Sequence, residues 1–225
     1  KKDIILLGDS VANSLLKDLV LKLEKNQFKL INLSKAGALY TPNGHFINNK
    51  NGKPRYDRKI DRLRDEFIKK NNNEKVFIIL NNYEEYFKQE NFIFFNNVYP
   101  KMNPLIFINK KNKTNLEKSG YEMLKQNFRE AILNLAEKDK VILFYPIPTA
   151  NKKIIREVNN LYIKNKENEK IGIKLSVFLD KQKFIFDFFN TIEHKNIIKI
   201  YPHKLLCKKK DDICVFYDGE NMIYY

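Results

Sequence analysis

The chain has 225 residues, of which 43% are hydrophobic, and a formal net charge of +15 at pH 7. That length can bury the core of one α/β domain, and no apolar run reaches the roughly 20 residues that a membrane-spanning helix needs. The lysines are dispersed among Asn and Ile, as in KKNNNEK, without an arginine-rich cluster or an RNA-binding signature. The composition therefore argues against a nucleic-acid partner, although a basic surface favours an anionic partner such as a charged glycan.

Short apolar segments alternate with amphipathic patterns along the chain. Apolar residues recur at helical spacing in three places: after residue 11, after a capping box formed by Thr114 and Glu117, and over residues 178–194. This alternation predicts an α/β fold, a three-layer α/β/α domain with a central parallel sheet. The predicted strands are residues 4–7, 28–33, 76–80, 141–145 and 197–201, and the inward-facing helical residues are Ala12, Leu15, Leu16, Leu19 and Leu23, then Tyr121, Leu124, Phe128, Ala131 and Leu135, then Phe178, Ile185, Phe188 and Ile192.

Two stretches do not follow this alternation. Residues 38–58 are rich in turn-forming residues and are predicted to be a long loop, and long loops in compact domains are usually functional or disordered. Residues 87–112 mix aromatic residues with Asn and Pro and receive no assignment. Because no repeat or linker is visible, residues 1–225 are predicted to be a single domain. The chain opens just before its first strand, so we expect it to be a fragment of a longer protein.

Cys207 and Cys214 are the two cysteines of the chain. Their spacing favours a disulfide, which persists only in an oxidising compartment, and two free thiols without a role are the alternative. The three histidines are scattered, so the pair has too few neighbouring ligands for zinc. We expect no metal site and no cofactor.

A polar triplet, Gly8-Asp9-Ser10, stands where the first strand meets the first helix. In a doubly wound sheet, sites form at the carboxyl ends of the strands. Ser10 would lie at the helix start, where unpaired N–H groups stabilise a developing anion. Asp and Ser are also preferred helix caps, so the triplet alone favours a plain cap over a nucleophile.

The choice between a cap and a nucleophile changes when three segments are considered together, LLGDS, LINLSKAGA and VFIILNNYEEYF. Together they resemble the sequence blocks of the SGNH/GDSL hydrolase superfamily, which implies a flavodoxin-like sheet. The first block makes Ser10 the nucleophile, supported by Asp9, and the second aims the backbone N–H of Gly37 at the oxyanion. The third block departs from the family's Gly-x-Asn-Asp, since a strict register puts Tyr83 on the family asparagine. We name Asn82 as the side chain that completes an oxyanion hole with Ser10 and Gly37.

A second resemblance rests on two segments, YEEY at residues 83–86 and the final LLCKKKDDICVFYDGENMIYY. They resemble the periplasmic SGNH domains fused to acyltransferase-family-3 membrane proteins. In that branch an aromatic-x-x-Tyr replaces the asparagine block, and a late cysteine pair and a short strand precede Asp-x-x-His. The Asp218-Gly219 pair within this final segment predicts a hairpin turn.

A serine nucleophile needs a base, usually a histidine held by a carboxylate. The resemblance places that acid and base after Tyr225, so residues 1–225 alone are expected to show little or no turnover. His45 lies in the predicted long loop, His194 near a helix end and His203 before the cysteine pair. Each of the three is expected to be structural.

The resemblance implies serine-dependent O-acyl transfer, with acetyl the foremost acyl group, onto a cell-envelope polysaccharide through an acyl-serine intermediate. It also implies an extracytoplasmic, membrane-tethered domain, an acyl donor delivered by a membrane acyltransferase domain, and an anionic or neutral glycan acceptor. A secreted carbohydrate esterase with the same site is one alternative. A catalytically inactive basic module that binds glycan or nucleic acid is the other.

Overall fold

The computed structural model describes residues 3–48, 53–54, 56–70, 74–87, 105–109, 118–149, 154–166 and 168–221. Its strands are β1 (Asp3–Gly8), β2 (Lys29–Asn32), β3 (Gly44–Asn48), β4 (Lys75–Leu80), β5 (Leu105–Asn109), β6 (Lys140–Phe144), β7 (Ile171–Lys174), β8 (Ile197–Ile200), β9 (Cys207–Lys208) and β10 (Ile213–Tyr217). Its helices are α1 (Ser10–Ser14), α2 (Leu16–Lys25), α3 (Lys59–Lys70), α4 (Tyr83–Phe87), α5 (Lys118–Ala136), α6 (Ile154–Ile163), α7 (Leu175–Asn190) and α8 (His203–Leu206), with a short 3-10 turn at Lys209–Asp211.

Five strands form a parallel sheet in the order β2-β1-β4-β6-β8. These are the five strands that the sequence predicts, with ends that differ by one residue at most. Helices α1, α2 and α5 pack against strands of this sheet. The predicted α/β class with a central parallel sheet is confirmed.

The position of β1 in the sheet explains where a site can form. It pairs with β2 on one side and with β4 on the other, so the chain changes direction at this strand. Gly8 and Leu80 are register partners at the carboxyl ends of β1 and β4. Doubly wound sheets bind their ligands at such a switch point. Ile5, Leu6 and Leu7 are fully buried, as expected for a strand covered on both faces.

The first predicted helix is two helices. Leu15 separates α1 from α2, and its backbone N–H donates to the Ala12 carbonyl at 3.2 Å. Ala12 is buried, whereas Leu19 and Leu23, on the predicted inward face of α2, are half-buried. Since α1 has only five residues, its dipole is weaker than that of the long helix that the sequence predicts.

The two later helices carry the predicted apolar residues except Ile192, which is buried but lies beyond the end of α7. In α5, Leu124, Phe128, Ala131 and Leu135 are buried, while Thr114 and Glu117 of the predicted capping box lie outside the described residues. Helix α7 covers residues 175–190 rather than 178–194. The aromatic rings of Tyr83, Phe87, Phe128, Phe188 and Phe189 contact one another.

The two stretches that the sequence left without structure contain a pair of strands. β3 lies within residues 38–58 and β5 within residues 87–112, and they form an antiparallel sheet. The prediction of one long loop over residues 38–58 is therefore wrong. The side-chain alternation of such short strands is too brief to distinguish from a turn-rich loop in a single sequence. Residues 88–104 and 110–112 lie outside the described residues.

Chain contacts divide the molecule into two compact units, residues 1–144 with 188–200, and residues 145–187 with 201–225. The first unit contains the parallel sheet. In the second, β7, β10 and β9 form an antiparallel sheet in that order. No helix in the described part of the chain is both long and apolar enough to cross a bilayer.

Candidate active site

The turn after β1 requires glycine at position 8. Gly8 has φ +155°, and a Cβ there would lie 1.9 Å from the Leu80 carbonyl oxygen and 2.7 Å from the Ala12 Cβ. The turn thus passes directly against the end of β4 and the start of α1. This close approach fixes where the residues after Gly8 emerge.

The sequence left open whether Asp9 or Ser10 caps the first helix, and in the structure the cap is Asp9. One carboxylate oxygen, Oδ1, accepts the Val11 N–H at 2.9 Å, and Oδ2 accepts the Asn82 N–H at 2.9 Å. Asp9 is 1% exposed. Burial raises the pKa of Asp9, the two backbone donors and the Tyr86 hydroxyl lower it, and the net direction is upward. Asp9 therefore joins the turn after β1 to the turn after β4.

Ser10 is the first residue of α1 and is exposed. Within the described part of the chain, its side chain has no hydrogen-bond partner. Because Asp9 performs the capping, the Ser10 hydroxyl is not needed to satisfy the helix. A serine held at a switch point with an unused hydroxyl is available for chemistry.

The loop that carries Gly37 is tied to this turn through the backbone. The Lys35 N–H donates to the Gly8 carbonyl at 2.9 Å, and the Ala38 N–H donates to the Lys35 carbonyl at 2.9 Å. Gly37 has φ +73°, a conformation that glycine adopts at little cost. The structure thus brings the Gly37 loop to the turn that precedes Ser10. Participation of the Gly37 N–H in an oxyanion hole stays a prediction.

The third block lies at the end of β4. Asn82 is exposed, and its backbone N–H is held by Asp9. Tyr83, which a strict register aligns with the family asparagine, is 1% exposed, and its hydroxyl donates to the Ile79 carbonyl at 3.2 Å. Burial raises the pKa of Tyr83. Asn82 thus has an accessible side chain beside Asp9, whereas the Tyr83 hydroxyl is committed to the core.

Asn81 is a feature that the sequence did not single out as a site residue. It is 3% exposed, and neither polar atom of its amide reaches a hydrogen-bond partner among the described residues. Asn81 lowers the pKa of the Tyr83 hydroxyl, although the two side chains do not meet the geometry of a hydrogen bond. No pattern in the sequence distinguishes the buried asparagine from its exposed neighbour.

Both tyrosines of the YEEY segment are buried. Tyr83 packs edge-on against Phe189, with ring centroids 4.7 Å apart. Tyr86 contacts Phe46, with centroids 5.3 Å apart, and its hydroxyl lowers the pKa of Asp9. The segment therefore supports the site from beneath. Its two aromatic side chains do not face the solvent beside Ser10.

Arg64 of α3 is the second feature that the sequence did not reveal. It is 1% exposed. Its guanidinium donates to the Leu33 carbonyl at 2.9 Å, the Gly8 carbonyl at 3.0 Å, the Ala38 carbonyl at 3.1 Å and, more weakly, the Leu39 carbonyl at 3.5 Å. An arginine within an amphipathic helix is ordinarily solvated, so only the folded structure shows these bonds.

The three histidines occupy different settings. His45 lies in β3 rather than in a loop. His194 lies beyond the end of α7, and its Nδ1 accepts the Asn196 N–H at 3.2 Å. His203 packs against the Phe186 ring with centroids 5.3 Å apart, and its pKa is lowered, chiefly by burial. None of these observations links a histidine to Ser10.

Cys207 and Cys214 form a disulfide between directly opposed positions of β9 and β10, which confirms the predicted pairing. Within the loop that it closes, Asp212 accepts the Ser176 N–H at 2.7 Å and the Ser176 hydroxyl at 2.6 Å. The Asp218 side chain accepts the N–H of Glu220 and of Asn221, while residues 222–225, the second strand of the predicted hairpin, lie outside the described residues. In the described ranges, no group of three or more His, Cys, Asp and Glu side chains could hold a metal ion.

Comparisons with known proteins agree with this fold. The fold is similar to the periplasmic domain of a lipopolysaccharide acetyltransferase from Salmonella ser. Paratyphi A, with a TM-score of 0.55 and 16% sequence identity. The alignment covers 96% of this chain and 71% of that one. No curated protein sequence matches the chain. The family model described as the SGNH domain fused to AT3 domains matches residues 1–225. The chain therefore belongs to this SGNH domain family, and at the level of the family this supports acyl transfer or ester hydrolysis.

Proposed function

We propose that this SGNH domain transfers an acyl group, foremost acetyl, to a hydroxyl of a cell-envelope polysaccharide through an acyl-serine intermediate at Ser10. The observation that carries the proposal is that Asp9, and not Ser10, caps the helix. Asp9 caps α1 and binds the turn after β4, while the exposed Ser10 hydroxyl makes no hydrogen bond to any residue that the structure describes. A residue that served only as a cap would have its oxygen committed to the helix.

The proposed reaction has two steps. The Ser10 Oγ bonds to the acyl carbonyl carbon of the donor, its proton passes to a base, and the donor's leaving group departs with a proton. A sugar hydroxyl then attacks the acyl-serine, loses its proton to the same base and releases Ser10 with its proton restored. Ester hydrolysis differs only in the second step, where water replaces the sugar hydroxyl.

The oxyanion of each tetrahedral intermediate needs hydrogen-bond donors. We assign this role to the backbone N–H groups of Ser10 and Gly37 and to the Asn82 side chain. Support comes from the contacts that bring these segments together, Lys35 to the Gly8 carbonyl and Asn82 to the Asp9 carboxylate. The exposure of Asn82 and the burial of Tyr83 favour the asparagine as the third donor.

The base in this proposal is the histidine of the Asp-x-x-His motif that the resemblance places after Tyr225. His203 is held among aromatic rings, and His194 accepts a hydrogen bond from the backbone of Asn196. Neither contact orients an imidazole toward a nucleophile, so we assign the base to neither residue.

Support for the proposed substrate and location comes from the family and from the chemistry of the chain. The family model describes domains fused to AT3 domains, which supports an acyl donor delivered by a membrane acyltransferase domain. The disulfide supports an extracytoplasmic location because it needs an oxidising compartment. The net charge of +15 favours an anionic acceptor over a neutral one. The match over residues 1–225 supports a single SGNH-like domain.

The proposal is tested with the full-length protein and p-nitrophenyl acetate as acyl donor, with and without a cell-envelope oligosaccharide. We expect Ser10→Ala to lower kcat by about 10³-fold or more. Ser14→Ala is the matched control, since Ser14 lies on the same short helix and donates to the Val11 carbonyl. Acyl product on the sugar identifies a transferase, and free acetate alone identifies an esterase. Equal rates in the wild type and Ser10→Ala would refute the proposal.

A further inference from the structure

A buried guanidinium lies beneath the candidate active site. Arg64 is on α3, and its Nη2 donates both to the Gly8 carbonyl at 3.0 Å and to the Ala38 carbonyl at 3.1 Å. Its Nε donates to the Leu33 carbonyl at 2.9 Å. Gly8 ends β1, whereas Leu33 and Ala38 lie in the loop after β2. One side chain therefore bonds two segments whose relative position matters for the proposed reaction.

The setting of Arg64 is costly, which indicates that its hydrogen bonds matter. Burial lowers the pKa of Arg64, although an arginine stays charged in proteins. Among the described residues, no carboxylate comes within ion-pair distance of it. Asp61, which raises its pKa from farther away, instead pairs with Arg58 at 3.3 Å and accepts the Tyr56 hydroxyl at 3.1 Å. The charge is thus compensated mainly by carbonyl oxygens, whose bonds to a cation are stronger than neutral ones.

The bonded carbonyls stand next to the proposed oxyanion donors. Gly8 precedes the Asp9–Ser10 peptide, which supplies the Ser10 N–H, and Ala38 follows Gly37 directly. A shift of either segment would change the distance between the two N–H groups. The planar guanidinium bonds the Gly8 and Ala38 carbonyls through Nη2 and the Leu33 carbonyl through Nε, whereas a lysine ammonium has one nitrogen for all three.

We propose that Arg64 is a positioning residue that holds the Gly37 loop against the Ser10 turn, so that the two backbone N–H groups converge on the same oxyanion. This inference rests on the proposed function at Ser10. Arg64 touches neither substrate nor Ser10 in this account and acts only through the carbonyls of Gly8 and Ala38. Its loss affects the transition state more than substrate binding, because the donors are needed most when the negative charge develops.

The test compares Arg64→Lys and Arg64→Gln with Arg62→Met in the full-length protein. Arg62 lies on the same helix but is exposed, so its replacement controls for the loss of a positive charge on α3. We expect both Arg64 variants to lower kcat for p-nitrophenyl acetate by about 10²-fold, with KM near the wild-type value. Arg64→Lys should not retain the wild-type kcat, since one ammonium nitrogen cannot replace both the Nη2 bonds to Gly8 and Ala38 and the Nε bond to Leu33.

Hydrogen exchange supplies a readout that does not depend on activity. In the wild type, the amides of residues 34–41 should exchange as slowly as those of β1, and in folded Arg64 variants they should exchange faster while β1 is unchanged. Fast local exchange of residues 34–41 in the wild type overturns the inference even if neither variant folds. Normal kcat in a folded Arg64 variant overturns it too, and leaves the proposed function intact if Ser10→Ala is inactive. Absence of Ser10-dependent turnover in the wild type refutes the proposed function and the inference together.

Discussion

The Asp9 carboxylate accepts the backbone N–H of Asn82 at 2.9 Å, across 73 residues of sequence. The same carboxylate accepts the Val11 N–H, so one buried side chain holds the starts of α1 and α4 in a fixed relation. A cap that served α1 alone would need only the second bond. The aspartate of the Gly8-Asp9-Ser10 triplet therefore links the first and third sequence blocks.

Replacing Asp9 with alanine should cost more than the loss of an ordinary cap. Asp57 is the matched control, because it accepts the Lys59 N–H at 2.9 Å at the start of α3. Asp57→Ala should lower the free energy of unfolding by about 1 kcal/mol. Asp9→Ala also leaves the Asn82 N–H without its acceptor and should cost about 2–4 kcal/mol. Urea unfolding measures both values, and equal losses would contradict the bridging role.

Gly8→Ala should be among the most damaging changes of a single methyl group in this chain. The added Cβ would lie 1.9 Å from the Leu80 carbonyl oxygen, at a φ of +155°. Because the obstacle is backbone, relief requires β1 and β4 to separate at their carboxyl ends. We expect a loss of about 3 kcal/mol or more in unfolding free energy, or failure to fold. A variant as stable as the wild type would show that this turn does not need glycine.

Removal of the Cys207–Cys214 disulfide should destabilise the chain moderately. The loop that it closes spans eight residues, and loop-closure entropy assigns such a bond about 2.5 kcal/mol. The double variant Cys207→Ala/Cys214→Ala should unfold at a correspondingly lower urea concentration. Dithiothreitol should destabilise the wild type and leave the double variant unaffected. A wild type that is insensitive to the reductant would indicate free thiols in solution.

His203 should make the protein less stable in mild acid. Burial, and next Lys204, lower its pKa from the ordinary value of 6.5. The unfolded chain therefore binds the proton more tightly than the folded one. The stability that the neutral His203 side chain contributes is fully present above pH 6.5. It is lost as the pH falls through the lowered pKa of the folded state.

The variant His203→Phe tests this dependence. Phe178, Phe186 and Tyr201 surround the imidazole, so a phenyl ring suits the site. Thermal unfolding from about pH 7.5 to about pH 5.5 should show a smaller decrease in Tm for the variant than for the wild type. The same decrease in both proteins would remove His203 as its cause.

The parallel sheet was predictable because each strand is a short apolar run bounded by polar residues. Residues 76–80, for example, are almost all buried in β4, and a buried strand appears in the sequence as a continuous apolar run. β3 and β5 were not predictable, since their pairing joins residues 44–48 to residues 105–109. The break at Leu15 was also hidden, because the helical spacing of apolar residues continues through it.

The candidate site was predictable only in part, for a related reason. The Gly8-Asp9-Ser10 triplet is a local pattern that lies at a predicted strand end. The role of Arg64 depends on carbonyls 25 to 56 residues away in the sequence, and carbonyls belong to every residue. Asn81 and Asn82 are chemically identical neighbours, and only the direction of β4 decides which one is buried.

The central claim is that the Ser10 hydroxyl is an acyl nucleophile, and the most direct measurement is mass spectrometry of the protein after exposure to p-nitrophenyl acetate or a fluorophosphonate. The account predicts one covalent adduct on the peptide that contains Ser10, present in Ser14→Ala and absent in Ser10→Ala. An adduct of equal yield in Ser10→Ala, or an unmodified Ser10 in a full-length protein that turns over the ester, would contradict it.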